Sequence, residues 1–267
     1  MKNRIISTSV LYLFTSIAAA GETQSPYHLD KQIIFCTSVT SSQKGWAVGR
    51  PSRDEKNATL QGTLLHTEDG GITWKKMTVP VVEQFTSVHF IDDIRGWVVS
   101  SEGSILNTNN GGKKWVITAV LEAELRSVVF TDSANGWVCG TAPCSSETSE
   151  HKKTGVVFST CDGGHSWEKK VIWPHTGPIN SIFFFGKNGW AAGVVHKGSL
   201  KIGAIFHSDD SGNSWELQFT TEPDSYFLHI EFGTEKKGKA VSYCPKGTRK
   251  GSHLFRTEDG GKSWHAE

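Results

Sequence analysis

An eight-residue motif, TEDGGITW, occupies residues 67–74 and returns four more times along the chain. We call each copy of this motif a marker. Every copy has a serine or threonine first, an aspartate or asparagine third, a glycine fifth and a tryptophan eighth. Successive copies are separated by 41 to 52 residues; they begin at Thr67, Thr108, Thr160, Ser208 and Thr257. Recurrence at such a period is the signature of a repeat architecture, so it constrains the fold more than any other feature of the chain.

A second word, built on a Gly-Trp pair, recurs upstream of each marker. It reads KGWAVG at Lys44 and NGWAAG at Asn188, and in the last unit a lysine replaces the tryptophan, KGKAVS at Lys237. An alternating apolar stretch such as SVHF lies before it, and another such as ILNT directly precedes the marker. Alternation, β-branched and aromatic residues, and Gly, Asn and Asp punctuation predict four short strands per unit, the fourth beginning at the marker tryptophan.

Four antiparallel strands repeated radially are the construction of a β-propeller. The sequence therefore predicts an all-β fold, a β-propeller of about five four-stranded antiparallel blades with the marker hairpin between the third and fourth strands. We expect a single domain over residues 21–267, with units near residues 33–80, 81–120, 121–174, 175–222 and 223–267. No helical periodicity of useful length follows residue 20.

The marker is interpreted as a building part, because a catalytic site is not normally written five times. A tight hairpin needs residues that tolerate positive φ and a side chain that bonds the local backbone, and the Asp or Asn and the Gly meet those needs. The closing tryptophan is large enough to fill the wedge between neighbouring blades. The residues given this structural role are Asp69, Trp74, Asn110, Trp115, Asp162, Trp167, Asp210, Trp215, Asp259 and Trp264.

These words resemble the Asp-box, also called the bacterial neuraminidase repeat. The fuller unit, clearest over residues 87–115, is similar to the photosystem II assembly and stability factor propellers and their wider bacterial relatives, and in degraded form it covers nearly the whole chain. The resemblance implies an exported, non-enzymatic propeller, and we expect no cofactor. It also implies protein clients, namely nascent or partly assembled membrane proteins.

The first twenty residues have the pattern of a secretory signal. Lys2 and Arg4 precede an apolar stretch that ends in three alanines, 18–20. This pattern predicts cleavage before Gly21 and a periplasmic or extracellular location, with an uncleaved anchor as the alternative. No later segment is apolar enough to span a bilayer. The formal net charge of +1 gives no global basic field for nucleic acid.

A glycoside hydrolase or glycan-binding propeller of the sialidase type is the alternative function, since sialidases share the Asp-box. That chemistry needs an arginine cluster, a separate acid and a tyrosine nucleophile, for which only Tyr27, Tyr226 and Tyr243 are available. A hydrolase that uses a plain pair of carboxylates leaves no sequence signature and stays open at this point. We nevertheless expect no catalytic residues.

The loops between second and third strands share the face opposite the markers, and loops on a rigid scaffold commonly carry binding residues. In units 4 and 5 these loops are basic, with no acid between the charges; the partner-binding candidates are Lys197, Lys201, Lys246, Arg249 and Lys250, together with Arg126 from an inner loop. They predict docking of an acidic segment or carboxyl terminus of a protein client. Solvated lysines that serve solubility are the alternative interpretation.

The cysteines and histidines suggest no metal centre. The histidines are scattered one or two per unit, without the spacing of a zinc site. Cys36 begins the first predicted strand of unit 1 and Cys244 ends the second of unit 5, which are adjacent in a closed five-blade ring. We therefore expect a disulfide between Cys36 and Cys244, formed in an oxidising compartment.

Overall fold

A computed structural model describes residues 32–51, 62–81, 83–143, 153–170, 172 and 176–267, and the signal predicted at residues 1–20 lies outside these ranges. All regular structure in the described residues is β-strand. Twenty strands form five four-stranded antiparallel sheets, each made of four consecutive strands. The predicted all-β fold with five such blades is confirmed, and the marker hairpin joins the third and fourth strands of each.

The chain divides into two compact units. The first, Met1–Leu121, holds blade 1, with β1 Gln32–Val39, β2 Gly45–Pro51, β3 Thr63–Thr67 and β4 Lys75–Lys76, and blade 2, with β5 Phe85–Phe90, β6 Gly96–Ser100, β7 Ser104–Thr108 and β8 Val116–Val120. The second unit, Glu122–Glu267, holds blades 3, 4 and 5. Every fourth strand starts one residue after the marker tryptophan, one position later than predicted.

The second unit has the same strand plan in each of its blades. Blade 3 consists of β9 Glu124–Phe130, β10 Gly136–Pro143, β11 Lys153–Thr160 and β12 Glu168–Lys170. Blade 4 consists of β13 Thr176–Phe185, β14 Asn188–Lys197, β15 Leu200–Ser208 and β16 Glu216–Pro223. Blade 5 consists of β17 Tyr226–Phe232, β18 Gly238–Cys244, β19 Gly251–Thr257 and β20 His265–Ala266.

A phenylalanine near the end of a first strand organises the packing between neighbouring blades of a unit. Trp137 of blade 3 stacks on Phe184 of blade 4 with ring centroids 3.8 Å apart and an angle of 12° between the rings. The marker Trp215 meets the same phenylalanine edge-on at 5.9 Å and 84°. Gly189 lies against the ring, where an added Cβ would come within 2.4 Å of it. The glycine of the Gly-Trp pair is therefore required because the phenylalanine occupies the space of a side chain.

This clamp is repeated at the other blade junctions inside each unit. Phe232 of blade 5 stacks under Trp190 of blade 4 at 3.7 Å, and Phe90 of blade 2 stacks under Trp46 of blade 1 at 3.5 Å. Indole N–H groups add hydrogen bonds: Trp137 Nε1 donates to the Ser211 carbonyl at 3.0 Å and Trp190 Nε1 to the Gly260 carbonyl at 3.1 Å. In blades 3 and 4, the Gly-Trp tryptophan thus binds the marker turn of the next blade.

Each marker closes on itself through hydrogen bonds. In the last one, the Thr257 hydroxyl donates to Asp259 Oδ1 at 2.8 Å and accepts from the Gly261 N–H at 2.8 Å. The N–H and the hydroxyl of Ser263 donate to the two carboxylate oxygens of Asp259 at 3.0 and 2.6 Å. The Gly260 N–H donates to the Lys236 carbonyl in the turn between β17 and β18. Both oxygens of the Asp259 carboxylate therefore accept hydrogen bonds that hold the turn.

The same set of bonds recurs in markers 1, 3 and 4, and marker 2 differs. Its Asn110 accepts from the Lys114 N–H at 3.0 Å, but Lys114 has no hydroxyl to donate a further bond. In the aspartate markers, these bonds stabilise the ionised carboxylate. The side chain and N–H of Ser263 lower the pKa of Asp259 to about 2, and the corresponding bonds lower the pKa of Asp69 and Asp210 to about 2.

Replacing Phe184 by alanine tests the clamp. Loss of a fully packed phenylalanine ring leaves a cavity, and we expect the free energy of unfolding in urea to fall by about 3–5 kcal/mol. Phe185→Ala is the matched control, since this neighbour is only half-buried. It should cost clearly less. Equal losses at the two positions would contradict the clamp.

Asp259→Asn tests the charge in the marker. The folded pKa of Asp259 is about 2, below the unfolded value of about 3.9, so its ionised form stabilises the fold above about pH 4 and this stabilisation is lost as the pH falls towards 2. We expect the variant to be less stable at neutral pH and to lose less stability between pH 4 and 2 by urea unfolding. Asn110→Asp should steepen the loss. An unchanged pH dependence in Asp259→Asn would refute the interpretation.

Candidate functional site

Two of the predicted partner-binding lysines lie in strands rather than in a loop. Strands β14 and β15 pair to their tip, with His196 opposite Lys201 and Lys197 opposite Leu200. Only residues 198–199 join them, and Gly198 has a φ of 58°, which a tight hairpin requires. The loop predicted in blade 4 is therefore an extension of the sheet, because alternation of apolar and polar residues continues on both sides of the glycine. Both lysines are exposed.

The basic loop of blade 5 is present as predicted, between β18 and β19. Lys246, Arg249 and Lys250 are all exposed in residues 245–250. Contacts from the flanking strands hold the backbone: Cys244 Sγ donates to the Lys246 carbonyl at 3.1 Å, and a ring nitrogen of His253 lies 2.7 Å from the Arg249 carbonyl. The loop thus presents three positive charges on an anchored main chain.

The charges of these five basic side chains are not neutralised within the described part of the chain. Ion pairs there use other cations, such as Lys153 with Glu124. Acidic residues lie close by in the connection to blade 5, where the Asp224 N–H donates to the Lys201 carbonyl at 2.7 Å. Asp224 and Glu222 are exposed. The arrangement offers free positive charge beside a short acidic border, which suits an acidic ligand of limited width.

Arg126 lies apart from the basic loops in sequence and belongs to strand β9. Its guanidinium is 3.9 Å from the carboxylate of Glu124 and donates to Asn180 Oδ1 at 3.1 Å. Asn180 in turn donates to the Phe227 carbonyl at 2.6 Å. A row of hydrogen bonds therefore links the first strands of blades 3, 4 and 5. Arg126 is 41 % exposed, so part of its charge is still available to a ligand.

Sequence reasoning missed the polar residues beside Arg126. The Ser181 hydroxyl accepts from the Ile230 N–H at 3.2 Å and lies 3.3 Å from His229 Nδ1, and the Ser127 hydroxyl accepts from the Ile182 N–H at 3.4 Å. Ser181 is buried, so it joins blades and is not placed to attack a substrate. The serine that opens the stretches SVHF, SVVF and SIFF was the available signal.

The structure gives Cys36 and Cys244 as free thiols, one in each unit, and the disulfide expected between them stays a prediction. Cys36 Sγ lies 3.6 Å from Ser87 Oγ and donates to the Val88 carbonyl at 3.6 Å, both in the first strand of blade 2. Burial raises the pKa of this thiol. The Cys244 thiol donates a hydrogen bond to the Lys246 carbonyl. The Cys36 thiol thus contacts the first strand of the next blade, and the Cys244 thiol contacts the loop that follows it. Cys36 occupies the strand position that a serine holds in blades 2, 3 and 4.

Within the ranges that the structure describes, no three His, Cys, Asp or Glu residues are grouped so as to hold a metal ion. No helix in those ranges is long and apolar enough to cross a bilayer.

The chain matches the family model described as Photosynthesis system II assembly factor YCF48, over residues 25–123 and 71–154. It is 27 % identical over 111 residues to the photosystem II assembly lipoprotein Ycf48 of Synechococcus sp. (strain CC9902), and 26 % identical over 148 residues to the photosystem II stability/assembly factor HCF136 of Arabidopsis thaliana. These alignments cover 40 % and 52 % of this chain and about a third of the relatives, 31 % and 33 %.

Solved structures share the fold at lower identity. A structure titled "YCF48 bound to D1 peptide" matches with a TM-score of 0.55 and 19 % identity over 92 % of this chain and 83 % of the other. YCF48 from Cyanidioschyzon merolae matches with a TM-score of 0.57 and 16 % identity, covering 86 % and 68 %. A GH74 enzyme of Niastella koreensis reaches 0.64 at 11 % identity, covering 87 % of this chain and 38 % of its own. The resemblance drawn from the sequence is therefore confirmed: this chain is similar to the photosystem II assembly factor propellers with Asp-box repeats.

Proposed function

We propose that this chain is an exported, non-enzymatic propeller that binds an acidic segment of a membrane-protein client and acts as an assembly or stability factor. The observation that carries the proposal is the basic surface of blades 4 and 5, whose five side chains are exposed and form no ion pair within the described residues, on a fold shared with a protein solved with a bound D1 peptide. Lys197, Lys201, Lys246, Arg249 and Lys250 form this surface, which we call the basic rim.

The basic rim suits an acidic peptide for a physical reason. Exposed charges without intramolecular partners attract an oppositely charged segment, raise its rate of encounter and select against basic partners. The anchored backbone of the 245–250 loop and the continuous β14–β15 pairing keep these charges in place, which lowers the entropy cost of binding. Arg126, partly free on β9, adds a candidate contact for a peptide that reaches the first strands.

Export and the absence of catalysis rest on separate grounds. The signal-like pattern at residues 1–20 supports export, and the Synechococcus relative is named a lipoprotein. The relatives named above are assembly factors, which supports a binding role. The GH74 neighbours share the fold alone at 11 % and 14 % identity, and the marker carboxylates are consumed in their own turns.

A peptide-binding measurement tests the basic rim. A fluorescently labelled D1 peptide, an acidic peptide and its lysine-substituted counterpart are titrated with the purified chain, and binding is read by anisotropy. We expect the acidic peptide to bind more tightly than its basic counterpart, with an affinity that weakens as salt is added. Changing all five rim residues to glutamate should weaken binding at least about a hundredfold, because attraction becomes repulsion.

A charge-matched variant separates local recognition from net charge. Lys75, Lys113, Lys187, Lys236 and Lys262 are exposed at the marker ends of their own sheets, and all five are changed to glutamate. This variant should retain binding. Equal losses in the two variants, or no difference between acidic and basic peptides, would refute the basic rim. Release of reducing sugar from a polysaccharide panel would instead favour the glycosidase alternative.

A further inference from the structure

Strand β8, at the outer edge of blade 2, is exposed and uncharged. Its sequence is VITAV, and the exposed fractions of Val116, Ile117 and Val120 are 50 %, 40 % and 67 %. Among the described strands it pairs only with β7. An edge strand presents unpaired N–H and C=O groups, and proteins usually protect it with charge, proline or short length. β8 has no charge and no proline, and it is longer than three of the other four outer strands as described; a β-bulge is the one protective feature that it carries.

The outer strands of the other blades are protected. β4 is Lys75–Lys76, two lysines, and β12 is Glu168–Lys170, three charged residues. β16 is longer, but it has glutamates near both ends and finishes at Pro223. The described part of β20 is the dipeptide His265–Ala266. Among the described outer strands, a five-residue edge without charge or proline is therefore specific to blade 2 and is not imposed by the repeat.

The outer surface of β8 is apolar because its one hydroxyl group, on Thr118, forms its hydrogen bond within the sheet. A β-bulge lies between the pairs Leu106–Ile117 and Ile105–Ala119, and Thr118 is the extra residue. The Thr118 hydroxyl donates to the Ile105 carbonyl at 3.3 Å. Because β7 accepts this hydrogen bond, the side chains of β8 present methyl groups to a partner.

The sequence around β8 is complementary to itself in the antiparallel direction. When two copies are paired about a twofold axis at Thr118, Val116 of one faces Val120 of the other, and Ile117 faces Ala119. In the same register Lys114 comes opposite Glu122, two residues beyond the strand at either end, and both side chains are exposed. Opposite charges directly across a strand pair are favourable, and like charges are unfavourable. A second copy of this chain therefore fits the edge at its centre and at its ends.

We propose that two copies of this chain associate through β8, antiparallel and edge to edge about a twofold axis. Such an interface uses the same patch on both copies and closes on itself, so it ends at a dimer and does not extend into a fibre. The contact covers three exposed apolar side chains per copy and gives the unpaired edge a partner. It uses no residue of the basic rim and does not depend on the proposed client binding.

Analytical ultracentrifugation of the full chain over a wide concentration range tests this interface. We expect a reversible monomer–dimer equilibrium. Val116→Lys with Val120→Lys places like charges directly opposite one another, because residue 116 of one copy faces residue 120 of the other, and should raise the dimer dissociation constant at least about tenfold. Leu200→Lys with Leu217→Lys is the control, because these exposed leucines lie on β15 and β16 of blade 4. The control should leave the equilibrium unchanged.

A charge exchange tests the register. Lys114→Glu alone and Glu122→Lys alone should each weaken the dimer, since each puts like charges opposite one another, and the double variant should restore it. Circular dichroism confirms that every variant is folded. A monomer at all concentrations, a dimer that the two β8 lysines leave intact, or a double variant that stays as weak as the single variants would each overturn the proposal.

Discussion

The stack of a tryptophan from one blade on a phenylalanine of the next is the contact on which the packing inside each unit depends. The ring of Phe184 is enclosed by Trp137 on its face, Trp215 on its edge and Gly189 at its back. Such a ring buries a large apolar area and makes geometrically favoured aromatic pairs. A short four-stranded sheet cannot bury its faces alone, so neighbouring blades must supply the partner rings.

The marker turn positions the marker tryptophan of this clamp. Its backbone carbonyl also accepts a hydrogen bond from the Gly-Trp tryptophan of the preceding blade in blades 4 and 5. Hydrogen bonds from Thr257 and Ser263 hold Asp259 in its turn, and Trp264 follows directly. The Gly260 carbonyl of the same turn receives the indole N–H of Trp190. A carboxylate that looks like a candidate catalytic group in isolation is thus a structural element, with a depressed pKa that reflects hydrogen bonding to its ionised form.

The blade interiors are filled by packed side chains. The groups proposed here to bind partners therefore lie at the loop ends, on the first strands and at an outer edge. The basic rim lies at the loop end of blades 4 and 5, while Arg126 and Asn180 lie on first strands. β8 lies at an outer edge. The proposed client site and the proposed self-association surface therefore use different parts of the blades, which allows each to be altered without the other.

Repetition made much of the fold predictable. Five markers and their flanking alternation were enough for the blade number, the four strands of each blade and the hairpin position, because these depend on local periodicity and turn chemistry. The structural interpretation of Asp259 and its counterparts followed from multiplicity. Lys197 and Lys201 were recognised as exposed charges, but the continuation of β14 and β15 through Gly198 was not.

By itself, the sequence determined that this chain forms β-blades with Asp-box turns, since each of those features is written within about fifty residues. Only the tertiary structure decided which groups meet across blades. The pairing of Trp137 with Phe184, the bonds from Arg126 to Asn180 and the engagement of the Cys36 thiol with Val88 all join residues about fifty positions apart. No local pattern records such contacts, because they depend on how neighbouring sheets pack face to face.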